Sequence, residues 1–212
     1  TMACVMAAFI VAGFAFNLAM GISSFHVPWF VHVHAFVMFG WVALYLTQNA
    51  LIAGDNVTRH RRLGWLAVLW LPAMLVLGTL MTRWSVQQHG VPPFLEVNEF
   101  LFSNVLLLTL CIVLVAWAIT VRSNTPWHRR LMYSAFTILA GPGIGRLGAP
   151  LWFRIEPWGW WVITMGVPAA FIGIGMMADK RRNGRIHPAW LWGLGLIVVV
   201  QLACDALAYS RW

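Results

Sequence analysis

Residues 100–121 read FLFSNVLLLTLCIVLVAWAITV and contain no Asp, Glu, Lys or Arg. An α-helix rises about 1.5 Å per residue, so a helix of this length covers about 30 Å, the thickness of the hydrocarbon core of a bilayer. An uninterrupted apolar run of this kind is typical of a transmembrane helix. The run therefore predicts an integral membrane protein.

The composition of the whole chain agrees with this prediction. Hydrophobic residues make up 61% of the 212 residues and charged residues only 9%, with a mean hydropathy of +0.77. A soluble domain has about 25% charged residues, so this chain has too few charges to cover a water-facing surface. The net charge of +8 does not indicate a nucleic-acid partner, because the basic residues lie in short loops between apolar runs.

Six further stretches resemble the first in length and apolar character. The seven predicted spans are residues 3–22, 29–53, 63–83, 100–121, 131–147, 158–178 and 189–208. Turn and charge signals rich in Gly, Pro and Asn separate them. The first span lacks a basic segment before it, so we expect a helix and not a signal peptide. We predict an all-α integral membrane bundle of seven transmembrane helices that forms a single domain over residues 1–212.

The basic residues predict how the bundle is oriented. Ten of the fourteen fall in the loops on one side: Arg59, Arg61, Arg62, Arg122, Arg129, Arg130, Lys180, Arg181, Arg182 and Arg185. By the positive-inside rule these loops face the cytoplasm, where they meet anionic lipids. The N-terminus is then cytoplasmic and the C-terminus periplasmic. We expect a multi-pass protein of the bacterial inner (plasma) membrane.

A short motif occurs twice at predicted helix starts. Residues 57–64 read VTRHRRLG and residues 124–132 read NTPWHRRLM, so His-Arg-Arg-Leu opens the third and the fifth predicted helix. The match suggests that the two hairpins are related, as in other membrane bundles built from repeats. A chance or purely topological origin is the alternative.

Several polar groups are predicted at one depth, in the outer third of the bilayer. They are Asn17, His34, Asn98, Glu99, Arg146, Gln201 and Asp205, with His32 nearer the surface. Ionisable groups inside a membrane are costly and usually functional. Arg146 also follows the run Gly141–Gly145, which contains Pro142 and should break or kink its helix. The sequence therefore predicts an intramembrane polar site that faces the periplasm.

Three kinds of site could use these residues. The first is a transition-metal site with ligands drawn from His32, His34, His89, Glu96 and Glu99. Helical residues two apart point in different directions, so only one of His32 and His34 can face the bundle, and we favour His34.

The second is a haem b site in which two histidines from neighbouring helices ligate iron, either His60 with His128 on the inner side or His34 with a partner such as His89 on the outer side. Arg146 or Arg154 would hold the propionates. The third is an ion-paired pocket in which Arg146 faces Asp205 or Glu99 and binds an anion, a quinone or a lipid headgroup.

A purely structural interpretation stands beside each of these. His60 and His128 adjoin arginines at the predicted inner interface, where basic side chains reach anionic lipid headgroups. Arg146 and Asp205 could form a salt bridge that only joins two helices.

The motifs resemble those of known families. His34 followed by His60-Arg61-Arg62-Leu63-Gly64 resembles a group of uncharacterised bacterial multi-pass membrane proteins with His-Arg-x-Leu-Gly helix starts. The second motif, His128 to Met132, is similar to a small membrane family linked to cytochrome oxidase maturation. The placement of His34, His60 and His128 resembles the two-haem, ascorbate-reducible transmembrane cytochrome b family.

This last resemblance implies haem binding and electron transport. Where that family has a histidine at the start of its fourth helix, this chain has Glu96, Asn98 and Glu99. The full two-haem set is therefore not matched, and the resemblance implies one haem or none.

These observations predict a redox or quinone-linked electron-transfer protein with haem b or a transition metal. The alternative is a non-enzymatic accessory, assembly or ligand-binding subunit of a larger membrane complex. The sequence contains no Walker motif, no GxSxG and no HExxH, and the last span contains no lysine for a retinal Schiff base.

Overall fold

The structure is a computed structural model that describes residues 2–91, 95–152, 154–155 and 158–210, without the side chains of Pro150 and Trp152. The described residues form helices and no strands. The helices are α1 (Met2–Ala19), α2 (Trp29–Ala53), α3 (Val57–Gly64), α4 (Ala67–His89), α5 (Val97–Thr120), α6 (Thr125–Leu147), α7 (Ala149–Trp152), α8 (Gly159–Trp161), α9 (Val167–Asn183) and α10 (Pro188–Ala208). A π-helical segment, Val162–Gly166, joins α8 to α9 and makes Gly159–Asn183 one continuous helix.

Six of the described helices are long and apolar enough to cross a membrane. They are α1, α2, α4, α5, the continuous helix Gly159–Asn183, and α10. Large apolar side chains project from these helices into the surroundings, as Phe36, Leu69 and Val199 do. An outer surface of this kind is favourable in contact with lipid. The chain therefore belongs to the class of multi-pass helical membrane proteins.

The helix α6 differs from these six because it lies at the centre of the bundle. It packs against α1, α5, α9 and α10. Ser134, Thr137 and Gly143 are among its buried residues. A helix enclosed by other helices meets little lipid, so it can carry small and hydroxyl-bearing residues in place of large apolar ones. This position explains why α6 has 23 residues but is less apolar than its neighbours.

Two loops on one side of the bundle each end in an asparagine that caps the next helix. Asn56 accepts a hydrogen bond from the Arg59 amide before α3, and Asn124 accepts one from the Trp127 amide before α6. Each asparagine thus caps a helix start and lies four residues before the histidine of a His-Arg-Arg-Leu motif. We call this side, with loops 54–56, 121–124 and 184–187, the arginine-rich end.

The first motif does not open a spanning helix, contrary to prediction. It forms the separate short helix α3, and the next long helix begins at Ala67. Around the junction the amides of Val68 and Leu69 bond to carbonyls three residues back, which tightens the backbone between the two helices. Three arginines in eight residues keep α3 at the polar surface, because charged side chains are costly at membrane depth.

The Gly-Pro run in α6 does not end the helix. The helix continues through Pro142 to Leu147. Gly143 instead lets α1 approach closely, since a Cβ at Gly143 would meet the Ile10 backbone at 2.6 Å, and a Cβ at Gly13 would overlap the Gly143 carbonyl. Small residues at a crossing allow membrane helices to pack backbone against backbone.

Candidate functional site

The polar groups predicted to meet near the opposite end form two separate groups. Arg146 lies beside α1, where its guanidinium sits over the Phe14 ring, 4.0 Å from the ring centroid, and donates to the Pro142 carbonyl at 2.8 Å. Glu99 and Asp205 lie between α5 and α10. Within the described part of the chain, Arg146 forms no ion pair.

The prediction that Arg146 pairs with Asp205 or Glu99 is therefore wrong, because no ion pair forms between these residues. Helix periodicity explains the difference. Arg146 lies three residues after Gly143, so both are on the face of α6 that packs on α1. The face of α6 that meets α10 carries Ser134, which contacts Gly193. The prediction grouped Arg146 with the acids because they lie at a similar depth along their helices. The rotation of α6 about its axis instead directs Arg146 toward α1.

The five predicted metal ligands do not assemble either. His32 is exposed, whereas His34 on the same helix is half-buried and its Nδ1 is buried without a hydrogen-bond partner. His89 stacks edge-on against Trp84, with 5.6 Å between ring centroids. Glu96 is exposed, and Glu99 is buried beside Tyr209. The residues that the structure describes contain no group of three or more His, Cys, Asp or Glu that could hold a metal ion.

The predicted asparagines take no part in a shared site. Asn98 is exposed in the first turn of α5. Asn17 lies in the last turn of α1, where its backbone carbonyl accepts the amides of Ile22 and Ser23.

Two of the predicted haem ligands do come together, at the arginine-rich end. The rings of His60 on α3 and His128 on α6 lie edge to face, with their planes nearly perpendicular and 6.2 Å between centroids. The ring of His128 is oriented by its Nδ1, which lies 2.8 Å from the Ala118 carbonyl. A carbonyl can only accept, so Nδ1 carries the proton and the Nε2 of a neutral ring keeps its lone pair.

His60 is the less satisfied member of this pair. Its Nδ1 is buried and has no hydrogen-bond partner. Burial, followed by the neighbouring His128, lowers the pKa of His60 below its ordinary value of 6.5, although the backbone of Gln48 opposes the change. The lowered pKa favours the neutral imidazole, which is the form that ligates a metal.

A second polar group at the arginine-rich end was not predicted. Arg130 binds Asp179 through two parallel hydrogen bonds, Nε to Oδ2 at 2.6 Å and Nη2 to Oδ1 at 2.7 Å. Trp190 donates its indole N–H to the same Oδ2 at 2.7 Å, and Arg130 also donates to the Pro126 carbonyl. This cluster of Arg130, Asp179 and Trp190 joins α6, α9 and α10, and we call it the three-helix clamp.

The clamp is a structural feature and not a binding site. Arg130 and Asp179 are 3% and 7% exposed, and both carboxylate oxygens have partners. A buried bidentate pair with satisfied oxygens has no capacity left for a ligand. The sequence signal was available in Asp179, an acid that directly precedes Lys180, Arg181 and Arg182. Sequence reasoning grouped Arg130 with the lipid-facing arginines and overlooked this acid.

The acids at the opposite end form what we call the α5–α10 seam, which consists of Glu99, Ser103, Gln201, Asp205 and Tyr209. Tyr209 donates its hydroxyl to Glu99 Oε2 at 2.6 Å. Gln201 donates from Nε2 to Asp205 Oδ1 at 2.9 Å. Ser103 and Gln201 are fully buried. The seam thus contains part of the predicted polar site, without His34 or Arg146.

The fold defines the class of the chain as a multi-pass α-helical membrane protein. Its sequence matches no protein-family model and no curated protein, and its fold matches no solved structure.

Proposed function

We propose first that the chain spans the bacterial inner membrane seven times, with the N-terminus and the arginine-rich end in the cytoplasm. The central helix α6 is the seventh span. Its 23 residues are long enough to cross a bilayer, and its neighbours shield its polar residues from lipid. The excess of arginine and lysine in the loops and adjoining helix ends at residues 54–64, 121–130 and 180–185 supports this orientation.

The crossing of α6 can be tested by labelling single cysteines in whole cells. Ser123 precedes α6 and Arg154 follows it, and both are exposed. In a background with the native cysteines replaced by alanine, a membrane-impermeant maleimide should label Arg154→Cys and not Ser123→Cys until the cells are permeabilised. Labelling of both positions, or of neither, in intact cells would show that α6 does not cross.

We infer second that His60 and His128 would hold one haem b, which would make the protein a redox-active membrane protein. The observation that carries this proposal is the close approach of two imidazoles from different helices, with 6.2 Å between ring centroids. A group bound between α3 and α6 could therefore take a nitrogen ligand from each.

The number of protein ligands favours haem over a metal ion held by the protein alone. A structural zinc site has four protein ligands and a catalytic zinc site three, whereas only two imidazoles meet here. Haem supplies four nitrogens from its macrocycle and takes one or two axial ligands from the protein. The hydrogen bond from His128 to the Ala118 carbonyl fixes the ring orientation and tautomer, as is usual for metal-bound histidine.

The surroundings of the pair suit an anionic cofactor. The exposed arginines Arg59, Arg61 and Arg129 flank the two histidines in sequence, and guanidinium groups bind carboxylates such as propionates well. Haem would supply one-electron chemistry when bound. The protein would hold the neutral imidazoles and the propionates in place. We therefore propose electron transfer near the cytoplasmic surface, with a membrane quinone as a candidate partner.

This proposal predicts a coloured protein whose colour depends on two histidines. Gently solubilised full-length protein should show a Soret band that shifts on reduction with dithionite, with about one haem per chain in a pyridine haemochrome assay. His60→Ala and His128→Ala should each reduce the bound haem severalfold, because each removes one of two axial ligands.

Two other histidines provide matched controls for this experiment. His32→Ala and His34→Ala should keep the haem content, since neither residue lies in the pair. A gel-filtration profile like that of the wild type would show that each variant is folded. The proposal would be overturned by wild-type protein that binds no haem even after haem titration, or by loss of haem from His34→Ala alone. The first result would favour an accessory subunit without a cofactor.

A further inference from the structure

Three buried oxygen atoms at the α5–α10 seam have no hydrogen-bond partner among the residues that the structure describes. They are Ser103 Oγ, Gln201 Oε1 and Asp205 Oδ2. Ser103 and Gln201 have no exposed surface at all. A buried polar atom without a partner destabilises the fold, and a bilayer core contains no water to relieve it. Three such atoms on two facing helices indicate that something other than the protein satisfies them.

Helix geometry brings these oxygens to one interface. Glu99 and Ser103 are four residues apart on α5, and Gln201 and Asp205 are four residues apart on α10, so each pair lies on one helix face. The two helices pack against each other. Cys204 of α10 lies beside Ser103, and Asp205 is close enough to Glu99 for their charges to interact.

The hydrogen bonds within the seam leave one oxygen of each of its two carboxyl groups without a donor. Tyr209 satisfies one oxygen of Glu99 and Gln201 one oxygen of Asp205. The bond to Glu99 raises the pKa of Tyr209 to about 12, so the phenol remains a neutral donor. The described residues form one ion pair, Arg130–Asp179, and it lies at the other end of the bundle. Within the described ranges, no basic side chain pairs with either carboxyl group of the seam.

We propose that the α5–α10 seam binds a hard divalent cation of the Ca²⁺ type. The ligands would be the carboxylates of Glu99 and Asp205, the amide oxygen of Gln201 and the hydroxyl of Ser103. Carboxylate, amide and hydroxyl oxygens are ligands of hard cations, and two carboxylates balance two positive charges. Ca²⁺ accepts irregular sets of oxygens and completes its shell with water, whereas Mg²⁺ requires a near-ideal octahedron.

The ligand set also excludes other metals from this proposal. Transition metals prefer imidazole nitrogen or thiolate sulfur, and the four proposed ligands are all oxygens. The site is independent of the proposed haem, because His60 and His128 lie at the other end of the bundle. A failure of either proposal leaves the other standing.

The site can be tested by adding Ca²⁺ to chelator-treated, full-length protein in detergent. Isothermal titration should give saturable binding of about one Ca²⁺ per chain. The thermal unfolding midpoint should rise with CaCl₂ and not with choline chloride at equal ionic strength, because a ligand that binds only the folded state stabilises it. Asp205→Asn and Glu99→Gln should each weaken binding about tenfold or more, since each removes a charged ligand. Ser103→Ala should weaken it less.

Glu96 provides the matched control for these variants. It is an exposed carboxylate three residues from Glu99, so Glu96→Gln removes the same charge at the same end of the bundle. We expect Glu96→Gln to bind Ca²⁺ like the wild type. Equal loss in Glu96→Gln would overturn the proposal, because it would indicate a diffuse surface effect. Absence of saturable binding, together with stabilisation at low pH that Asp205→Asn abolishes, would also overturn it and indicate that protons satisfy the carboxylates.

Discussion

Replacement of Asp179 by alanine is expected to destabilise the folded protein by about 3 kcal/mol. The change leaves the Arg130 guanidinium, which is 3% exposed, without its counter-charge and with two lost hydrogen bonds. Removing one partner of a buried ion pair typically costs about 3–5 kcal/mol. We expect the lower end of this range because Asp179 lies in the penultimate turn of α9, where water can reach the freed guanidinium after a small relaxation.

The measurement is reversible unfolding in mixed micelles with increasing SDS, followed by circular dichroism. Trp190→Phe should cost less than Asp179→Ala, because it removes one hydrogen bond to the carboxylate and leaves the ion pair intact. Arg129→Met is the control, since Arg129 is exposed and adjacent to Arg130. If Arg129→Met destabilises the protein as much as Asp179→Ala does, the loss comes from the changed net charge at the arginine-rich end, and the clamp has no special role.

Replacement of Gly143 by alanine is expected to destabilise the folded protein by a similar amount, about 3 kcal/mol. The added Cβ would lie 2.6 Å from Ile10 Cα and 2.7 Å from the Phe9 carbonyl oxygen, so α1 must move away from α6. Overpacking of a close contact costs about 1–3 kcal/mol, and backbone atoms yield less than side chains do. The same SDS titration measures the cost, and Gly143→Leu should lower the yield of folded protein further.

Gly195 on α10 is the control for this substitution. A Cβ at Gly195 meets nothing within 4 Å. Gly195→Ala should therefore be neutral or slightly stabilising, since alanine favours the helix by about 0.5–1 kcal/mol. A Gly143→Ala variant as stable as Gly195→Ala would show that α1 does not press against α6 at this point.

Much of the fold could be predicted from the order of residues. The predicted span 29–53 has the bounds of α2, and the spans at 100–121 and 189–208 differ from α5 and α10 by a few residues. The main difference arises at the first His-Arg-Arg-Leu motif, which forms the short helix α3. The second difference is at Pro142, where a helix break or kink was predicted and α6 instead continues to Leu147. A packed central helix tolerates a proline that would end an isolated one.

The candidate site was predicted less well, and one pair of neighbours shows why. Arg129 and Arg130 are adjacent in sequence and have the same chemistry, yet Arg129 is exposed and Arg130 is bound to Asp179. Successive helical residues differ by about 100° in direction, so the partner of each depends on how α6 is rotated within the bundle. No pattern within α6 alone specifies that rotation.

The sequence by itself determined that the chain forms apolar helices long enough for a bilayer, and where most of them begin and end. Hydropathy, charge and capping are properties of neighbouring residues, so they can be read along the chain. Only the tertiary structure decided that His60 meets His128, that Asp179 holds Arg130, and that Arg146 turns away from Asp205. These pairings depend on the rotation and packing of helices far apart in the chain, which are set jointly by all the contacts in the bundle.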